Sequence, residues 1–156
     1  MIRKKIFSAQ PSQTVVSSLL MVARLIFGLV FLNHGVEKWV AFDEIATSFP
    51  DPLGIGSEIS LVLAIFAELF CSVAFIFGFL YRLALIPMIA TMAIAFFLVH
   101  NGQPFTEKEL SLLYLVIFVL MYISGPGKYS IDSLLRKRYE ILCCSKSRKT
   151  KSHVQV

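Results

Sequence analysis

Five polar side chains lie within long apolar stretches of this 156-residue chain or at their ends, namely Arg24, His34, Lys38, Glu68 and His100. A charged side chain at mid-membrane costs about 2.5–3.5 kcal/mol on insertion scales, so Arg24 and Glu68 should pair or border a cavity. Imidazoles can bind a metal, transfer protons or donate to a ligand carbonyl. These residue types therefore indicate a ligand site or a proton relay, unless their role is purely structural.

Arg24 and Glu68 are predicted to form an ion pair. Each lies close to the centre of its apolar stretch, and the difference in depth is only about 4–5 Å at 1.5 Å per residue. Such a pair could fix the register of two helices, or it could form a polar centre that binds a ligand or relays a proton.

Two stripes of residues recur at helical spacing and are predicted to meet as one helix–helix seam. Glycines in the first stripe would allow close approach, as small residues do in membrane bundles. The first stripe is Arg24, Gly28, Phe31, Gly35 and Lys38, and the second is Leu61, Ala64, Glu68, Ser72 and Phe75.

His34 and His100 close the first and third apolar stretches, and antiparallel threading should bring both to the outer membrane face with Asn33, Lys38 and Asn101. They could take part in ligand binding or proton transfer, or they could be interfacial residues that bind only water. We expect no metal ion, because no third ligand follows at a typical spacing.

The elements that position these residues are predicted to be membrane helices. The chain is 56% hydrophobic and only 16% charged, which excludes an ordinary soluble domain and a disordered chain. A membrane-spanning helix needs roughly 20 mostly apolar residues, and four such stretches occupy residues 15–35, 58–80, 83–100 and 110–124. We therefore expect an all-α membrane protein built as a four-transmembrane-helix bundle.

The distribution of charge predicts the orientation of the bundle. Twelve basic residues fall on one side, against Lys38 and Lys108 on the other, and seven of the ten acids lie on that other side. Both termini are therefore expected in the cytoplasm, and the net charge of +5 requires no nucleic-acid partner. The twelve are Arg3, Lys4, Lys5, Arg82, Lys128, Arg136, Lys137, Arg138, Lys146, Arg148, Lys149 and Lys151.

Three regions are expected: a cytoplasmic N-terminal segment at 1–14, the membrane domain at 15–135 and a basic cytoplasmic tail at 136–156 without stable structure. Ser130 is a plausible N-cap for an amphipathic C-terminal helix that lies on the cytoplasmic leaflet. The outer loop at 37–57 is expected to anchor at the interface, with a lid as the alternative.

Several ordered motifs resemble the DoxX family of small four-span membrane proteins. They are Ala-Arg-Leu-Ile-Phe-Gly at 23–28, His34-Gly35 followed by Lys38, Glu68, Gly78 with Tyr81-Arg82, His100, and Gly-Pro-Gly-Lys-Tyr-Ser-Ile-Asp at 125–132. The resemblance implies a bacterial cytoplasmic-membrane protein. It also implies that Arg24, His34, Lys38, Glu68 and His100 belong to a family site. Similar proteins include the small membrane subunit of thiosulfate:quinone oxidoreductases and proteins linked to thiol redox homeostasis.

The resemblance favours an accessory subunit of a quinone-linked sulfur or thiol oxidoreductase, or of a redox-homeostasis complex. No covalently bound cofactor is expected, and a quinone is the candidate ligand. Expected partners are the lipid bilayer and a protein subunit, with homo-oligomer formation left open. The alternatives are a carrier for a small molecule or ion, and a non-catalytic anchor for a soluble enzyme; whether the chain is itself an enzyme is left open.

Overall fold

The computed structural model describes residues 12–139, which form helices and no strand. We number the helices α1 (Gln13–Val40), α2 (Phe42–Ile45), α3 (Ser57–Phe77), α4 (Tyr81–Val99) and α5 (Phe105–Ser124). A last helix, α6, occupies residues 131–139. The all-α prediction is thus confirmed for this part of the chain.

Three helices within the described range are long and apolar enough to cross a membrane: α1 with 28 residues, α3 with 21 and α4 with 19. Helix α5 has 20 residues, and its first turns carry Glu107, Lys108 and Glu109 before the apolar sequence begins at Leu110. Helix α1 ends at Val40, five residues beyond the predicted end of the first span.

The predicted helix–helix seam between the two stripes is confirmed. Helices α1 and α3 pack antiparallel, because Gly28 contacts Phe75 and Ile76 while Gly35 contacts Glu68 and Leu69. A Cβ atom added at Gly35 would lie only 2.8 Å from the backbone carbonyl carbon of Glu68. The two glycines thus allow the close helix approach that membrane bundles use in place of a hydrophobic driving force.

An aromatic core lies within the bundle and joins α1, α3, α4 and α5. The Phe31 ring contacts Phe118 at 5.0 Å between centroids, and Phe75 contacts Phe118 at 5.8 Å and Tyr81 at 5.4 Å. All four side chains are at most 1% exposed. Offset and edge-to-face aromatic pairs of this kind stabilise a core beyond the area they bury.

The turn between α3 and α4 is tied to the start of α6. Gly78 ends α3 with a left-handed backbone, and the next helix begins where the Asp132 carboxylate accepts hydrogen bonds from the N–H groups of Leu80 and Tyr81, at 3.0 and 2.9 Å. The Asp132 N–H in turn donates to the Gly78 carbonyl. A residue far along the chain therefore caps α4.

Ser130 caps α6, as predicted, since its Oγ accepts from the Ser133 N–H at 3.1 Å. The helix continues to residue 139 and so crosses the predicted boundary at Arg136. The predicted segment 1–14 falls almost entirely, and the tail with Cys143 and Cys144 largely, outside the described residues.

Candidate functional site

A cavity of about 370 Å³ opens at the end of the bundle where α1 and α4 finish and α3 and α5 begin. We call this the cavity end, and the opposite one the Arg24 end. Four of the five predicted site residues line the cavity: His34, Lys38, Glu68 and His100. The cavity volume is typical of small-molecule sites. The apolar walls comprise Phe31, Phe49, Pro50, Pro52, Leu53, Ile55, Leu63, Ala64, Met92, Ile94, Ala95, Val99 and Leu110.

Lys38 and Glu68 form an ion pair on the cavity wall. The Lys38 Nζ donates to Glu68 Oε2 at 2.5 Å. The Glu68 side chain is 3% exposed and that of Lys38 is 27% exposed. The pair thus joins the buried seam of α1 and α3 to the open part of the cavity.

Two π-helical segments border the same cavity, Phe66–Phe70 in α3 and Ala95–Val99 in α4. Glu68 lies in the middle of the first segment, and Ala95 and Val99 of the second line the cavity wall. An added residue in a π turn changes the direction of the side chains that follow it, and such segments occur frequently at functional sites.

Both histidines lie at the cavity end, which confirms the predicted threading of their helices. The Nδ1 of His34 is 3.7 Å from Glu37 Oε2, and the Nδ1 of His100 lies 2.6 Å from Gln103 Oε1. The Tyr114 ring meets the His34 ring edge-on, with centroids 6.2 Å apart. Asn33 and Asn101 are exposed and do not line the cavity.

The predicted ion pair between Arg24 and Glu68 is wrong. Arg24 donates to the carbonyl oxygens of Pro126 at 3.1 Å and Tyr129 at 2.6 Å, whereas Glu68 pairs with Lys38. Glu68 lies level with Gly35, which is eleven residues, or about 16 Å of helix, from Arg24. The depth estimate failed because it assumed that the centres of the two helices lie level, whereas their register places Glu68 beside Gly35 and brings Gly78, after the end of α3, beside Arg24.

Arg24 instead connects α1 to the part of the chain that follows α5. We call its contacts there the Arg24 clamp. Its side chain is 4% exposed and reaches the position where Gly78 would carry a Cβ, 2.6 Å from its Nη1. Its two carbonyl acceptors belong to the connection that follows α5. A planar guanidinium with several donors suits this task, because it can bind more than one carbonyl at once.

Sequence reasoning missed Tyr114 and Ser111 of α5, which line the cavity. A signal was present, since the buried residues Ser111, Tyr114, Phe118 and Met121 recur at spacings of three, four and three. The loop residues Phe49, Pro50 and Leu53 also border the cavity, so part of the loop that was expected to anchor at the interface covers this site.

The turn that leads from this loop into α3 is organised by Asp51. Its carboxylate accepts from the N–H groups of Gly56 at 2.7 Å and Ile55 at 3.1 Å, and from the Ser60 hydroxyl at 2.9 Å. The Gly56 N–H in particular holds the pKa of Asp51 below its ordinary value. Within residues 12–139, no group of three or more His, Cys, Asp or Glu side chains is arranged to hold a metal ion.

Comparison with known protein sequences assigns the chain to a family. The DoxX family model matches residues 19–101, which include all five predicted site residues. No solved protein structure gives a significant match.

Three relatives match most of the chain. An uncharacterized protein of Haemophilus influenzae is 29% identical over 128 residues, covering 77% of this chain and 85% of the relative. The uncharacterized membrane protein Rv3486 of Mycobacterium tuberculosis is 31% identical over 140 residues, covering 74% and 80%. The inner membrane protein YqjF of Escherichia coli is 31% identical over 125 residues, covering 76% and 93%. With its apolar helices and these relatives, the chain is a membrane protein and belongs to the DoxX family.

Proposed function

We propose that this protein binds a quinone-class ligand in its cavity and serves as an accessory subunit of a quinone-linked sulfur or thiol oxidoreductase or redox-homeostasis complex. We further propose that it crosses the cytoplasmic (inner) membrane four times, with both termini in the cytoplasm. The observation that carries the proposal is a largely apolar cavity whose polar lining includes the Lys38–Glu68 pair, both histidines and Tyr114, with the hydroxyl groups of Ser60, Thr91 and Ser111.

The fourth span would be α5. Its 20 residues correspond to a length of about 30 Å, and its three charged residues lie in the first turns, at the cavity end. The basic residues Arg82, Lys128 and Lys137 lie at the Arg24 end, which supports a cytoplasmic position for that end. The printed name of the Escherichia coli relative, an inner membrane protein, supports the same location.

The chemistry of the cavity suits a quinone. A quinone ring is planar and apolar with hydrogen-bond acceptors at two opposite positions, so it needs flat apolar walls and a few donors. Phe31 and Met92 lie on the walls, and the Lys38 ammonium and the Tyr114 hydroxyl are available donors. Ligand sites typically combine such apolar walls with a few orienting polar groups.

A carrier fits the bundle less well than a binding subunit. Between Glu68 and the Arg24 end, the space between the helices is filled by Phe75, Met88 and Phe118, each 0% exposed. A small-molecule or ion pathway would require polar or hydrated space through this layer, down to the Arg24 end.

Quinone binding by the purified protein tests the proposal. We expect a decyl-substituted 1,4-benzoquinone to bind the detergent-solubilised protein, and Ala64→Phe, which places a ring in the cavity, to weaken binding at least tenfold. Leu29→Phe adds the same ring outside the cavity, on the lipid-facing side of α1, where Leu29 is 55% exposed. This control variant should bind the quinone normally. Equal binding by the two variants would contradict the cavity as the site.

The accessory role is tested separately in membranes. Deleting the protein should lower quinone-dependent oxidation of a thiosulfate or thiol donor, and complementation with Ala64→Phe should restore less activity than Leu29→Phe. Unchanged oxidation after deletion would contradict the accessory role. A different result would favour a membrane anchor: deletion removes a partner protein from the membrane, while the Ala64→Phe strain oxidises the donor at the normal rate.

A further inference from the structure

The cavity is bounded by the four long helices, and two of its sides are closed by contacts with α1. Between α1 and α3, the close approach at Gly35 and the Lys38–Glu68 pair seal the wall. Between α1 and α5, the rings of Phe31 and Tyr114 meet with their centroids 5.2 Å apart. A ligand therefore has no direct way out past α1.

A third side, between α4 and α5, and the aqueous end are also covered. The Lys108 ammonium lies over the Phe96 ring, 6.0 Å from its centroid, and the buried residues Met92 and Ser111 line the cavity behind this contact. Phe49 and its neighbours in the outer loop border the cavity at the aqueous end. The side that remains is the one between α3 and α4.

A residue that both lines a cavity and is exposed marks a place where the cavity meets its surroundings. Four large apolar residues do so, at 53%, 40%, 51% and 52% exposure: Leu53, Ile55, Leu63 and Leu110. Leu53 and Ile55 belong to the loop, and Leu110 directly follows the charged residues of α5, so these three lie at the aqueous rim. Leu63 differs, because the nearest charged residues in sequence, Glu58 and Glu68, are five positions away.

Leu63 lies on the side of α3 that borders α4. At about 100° per residue it is more than a third of a turn from Glu68, which faces α1. Lower in the bundle, the rings of Phe75 and Tyr81 join α3 to α4. Leu63 precedes Phe75 by twelve residues, and Ile94 follows Tyr81 by thirteen, so the antiparallel helices bring Leu63 level with Ile94. Both line the cavity, and we call the gap that they flank the lateral opening.

The lateral opening faces the apolar layer of the membrane. Helices α3 and α4 are both apolar enough to cross a membrane, and the aromatic residues one turn from the opening, Phe66 and Phe97, are 50% and 61% exposed. The cavity reaches down to Thr91, which is eight residues, or about 12 Å of helix, from the end of α4. The opening therefore joins the cavity to hydrocarbon and not to water.

We propose that the ligand of the cavity is a membrane-resident quinone whose ring lies in the cavity and whose alkyl or isoprenoid tail leaves through the lateral opening between α3 and α4. The inference rests on the proposed quinone-binding function and adds the tail of the ligand and its route. A tail that leaves between these helices stays in hydrocarbon, whereas one that left past the loop would expose its apolar surface to water.

Leu63→Trp tests the lateral opening with two probes that share one ring. One probe is the decyl-substituted 1,4-benzoquinone, and the other carries a methyl group in place of the decyl chain. The indole fills the opening, so the affinity for the decyl probe should fall about tenfold, the effect of losing the burial of roughly two methylene groups. The affinity for the methyl probe should stay within about twofold of the wild-type value, because its ring passes no chain through the opening.

Val62→Trp is the matched control for this variant. It places the same side chain on the neighbouring residue, which is 49% exposed but does not line the cavity. Both affinities should therefore equal those of the wild-type protein.

Photolabelling locates the tail in the wild-type protein without any substitution. A decyl probe with a diazirine on the part of the chain nearest the ring should label peptides from residues 57–70 and 87–99, and excess unlabelled decyl probe should suppress this labelling. Suppressible labelling of the loop at 46–56 or of the first turns of α5 would place the tail at the aqueous rim and overturn the proposal.

The remaining outcomes separate the inference from the function on which it rests. Unchanged affinity for the decyl probe in Leu63→Trp would overturn the lateral opening and leave quinone binding intact. Equal losses for the two probes, at unchanged thermal stability, would do the same, since Leu63 would then border the ring and not the tail. Failure of both probes to bind the wild-type protein would contradict the proposed function itself.

Discussion

At the residue scale, the Lys38–Glu68 pair has two unequal partners. Glu68 is almost fully buried, with 3% of its side chain exposed, whereas 27% of the Lys38 side chain is exposed. A long lysine side chain can turn its ammonium toward water when its partner is lost. A carboxylate fixed in a buried helix seam cannot do the same, so the two residues should respond differently to substitution.

We expect Lys38→Met to destabilise the protein more than Glu68→Gln. Lys38→Met leaves a buried carboxylate without its counter-ion, which in buried pairs costs about 3–5 kcal/mol. Glu68→Gln keeps an acceptor for Lys38 and should cost only about 1 kcal/mol. Reversible unfolding of both variants in mixed detergent micelles measures the difference, and equal losses would contradict the asymmetry.

Arg24 illustrates a buried charge whose two terminal nitrogens bind carbonyl oxygens, while its Nε has no hydrogen-bond partner within residues 12–139. Its guanidinium donates to the carbonyl oxygens of Pro126 and Tyr129, and no carboxylate lies within ion-pair distance among the residues of the described range. The hydrogen bonds connect α1 to the segment before α6. Arg24 therefore acts on the attachment of the C-terminal segment.

Arg24→Lys should loosen this attachment and leave ligand binding in the distant cavity unchanged. A lysine keeps the charge but loses the planar fork, and losing a hydrogen bond to a charged donor costs about 1.5–3 kcal/mol. Hydrogen–deuterium exchange should accelerate at residues 126–139. Lys128→Gln removes an exposed charge from the same segment and is the matched control; normal exchange in Arg24→Lys would refute the clamp.

At the element scale, the α1–α3 seam is held at close distance by two glycines in different surroundings. A Cβ at Gly35 would meet backbone atoms of Glu68 and Leu69 at 2.8 Å, whereas one at Gly28 would meet the Ile76 side chain at 2.5 Å. Ile76 can give way by changing its χ1 angle, at some cost because it is β-branched, whereas the backbone at Gly35 can give way only if the two helices move apart. The two positions therefore differ in tolerance although both are buried.

Gly35→Ala should destabilise the bundle by about 1–3 kcal/mol, the range found for overpacked cores. It should also separate Lys38 from Glu68 and weaken ligand binding. Gly28→Ala adds the same methyl group to the same helix face and should have the smaller effect. Unfolding measurements and the quinone affinities of the two variants give the comparison. A larger loss of stability in Gly28→Ala than in Gly35→Ala would contradict the described seam.

The Asp51 turn at the start of α3 should depend on pH. The pKa of Asp51 is lowered, chiefly by the Gly56 N–H, so ionised Asp51 stabilises the folded turn. This stabilisation is complete above the unfolded-state pKa of about 3.9 and is lost as the pH falls through the lower folded-state pKa. The turn should therefore open in acid.

Amide exchange at Ile55 and Gly56, compared with Asp51→Asn at each pH, measures this opening. The wild-type protein should be better protected near neutral pH, and the advantage should disappear in strong acid. Asp43→Asn, which changes an exposed aspartate in α2, should behave like the wild-type protein. A difference between the wild-type protein and Asp51→Asn that did not vary with pH would show that ionisation is unimportant.

At the scale of the whole molecule, the cavity lies at one end of the bundle and the Arg24 clamp at the other, with the aromatic core between them. If α5 crosses the membrane, these two ends face opposite aqueous compartments. The proposed topology thus places the ligand site near the outer face and the clamped C-terminal segment in the cytoplasm.

Cysteine labelling tests this topology in a background in which the three native cysteines are replaced by serine. Ser48→Cys and Asn101→Cys, at the cavity end, should react in intact cells with a membrane-impermeant maleimide. Lys128→Cys, at the Arg24 end, should react only after permeabilisation. If Asn101→Cys and Lys128→Cys reacted equally in intact cells, α5 would not span the membrane.

The sequence predicted the helical class, the α1–α3 seam, the Ser130 cap and the common position of the two histidines. Each follows from local spacing or from helix direction, which a single chain carries directly. It failed for Arg24 and Glu68, because a depth estimate assumes that the helix centres lie level, whereas the register of α1 and α3 places Glu68 beside Gly35. The spacing of three, four and three residues in α5 indicated that Tyr114 is buried, but an uncharged side chain gave no sign of a functional site.

The sequence by itself thus determined which residues are apolar, which helix faces are buried and which polar residues lie near one end, since these depend on residue type and helical period. Only the tertiary structure decided the pairing of Lys38 with Glu68, the binding of Arg24 to carbonyl groups about a hundred residues away along the chain, and the cavity itself. Those features depend on the register between helices, and register is fixed by close packing at positions such as Gly35.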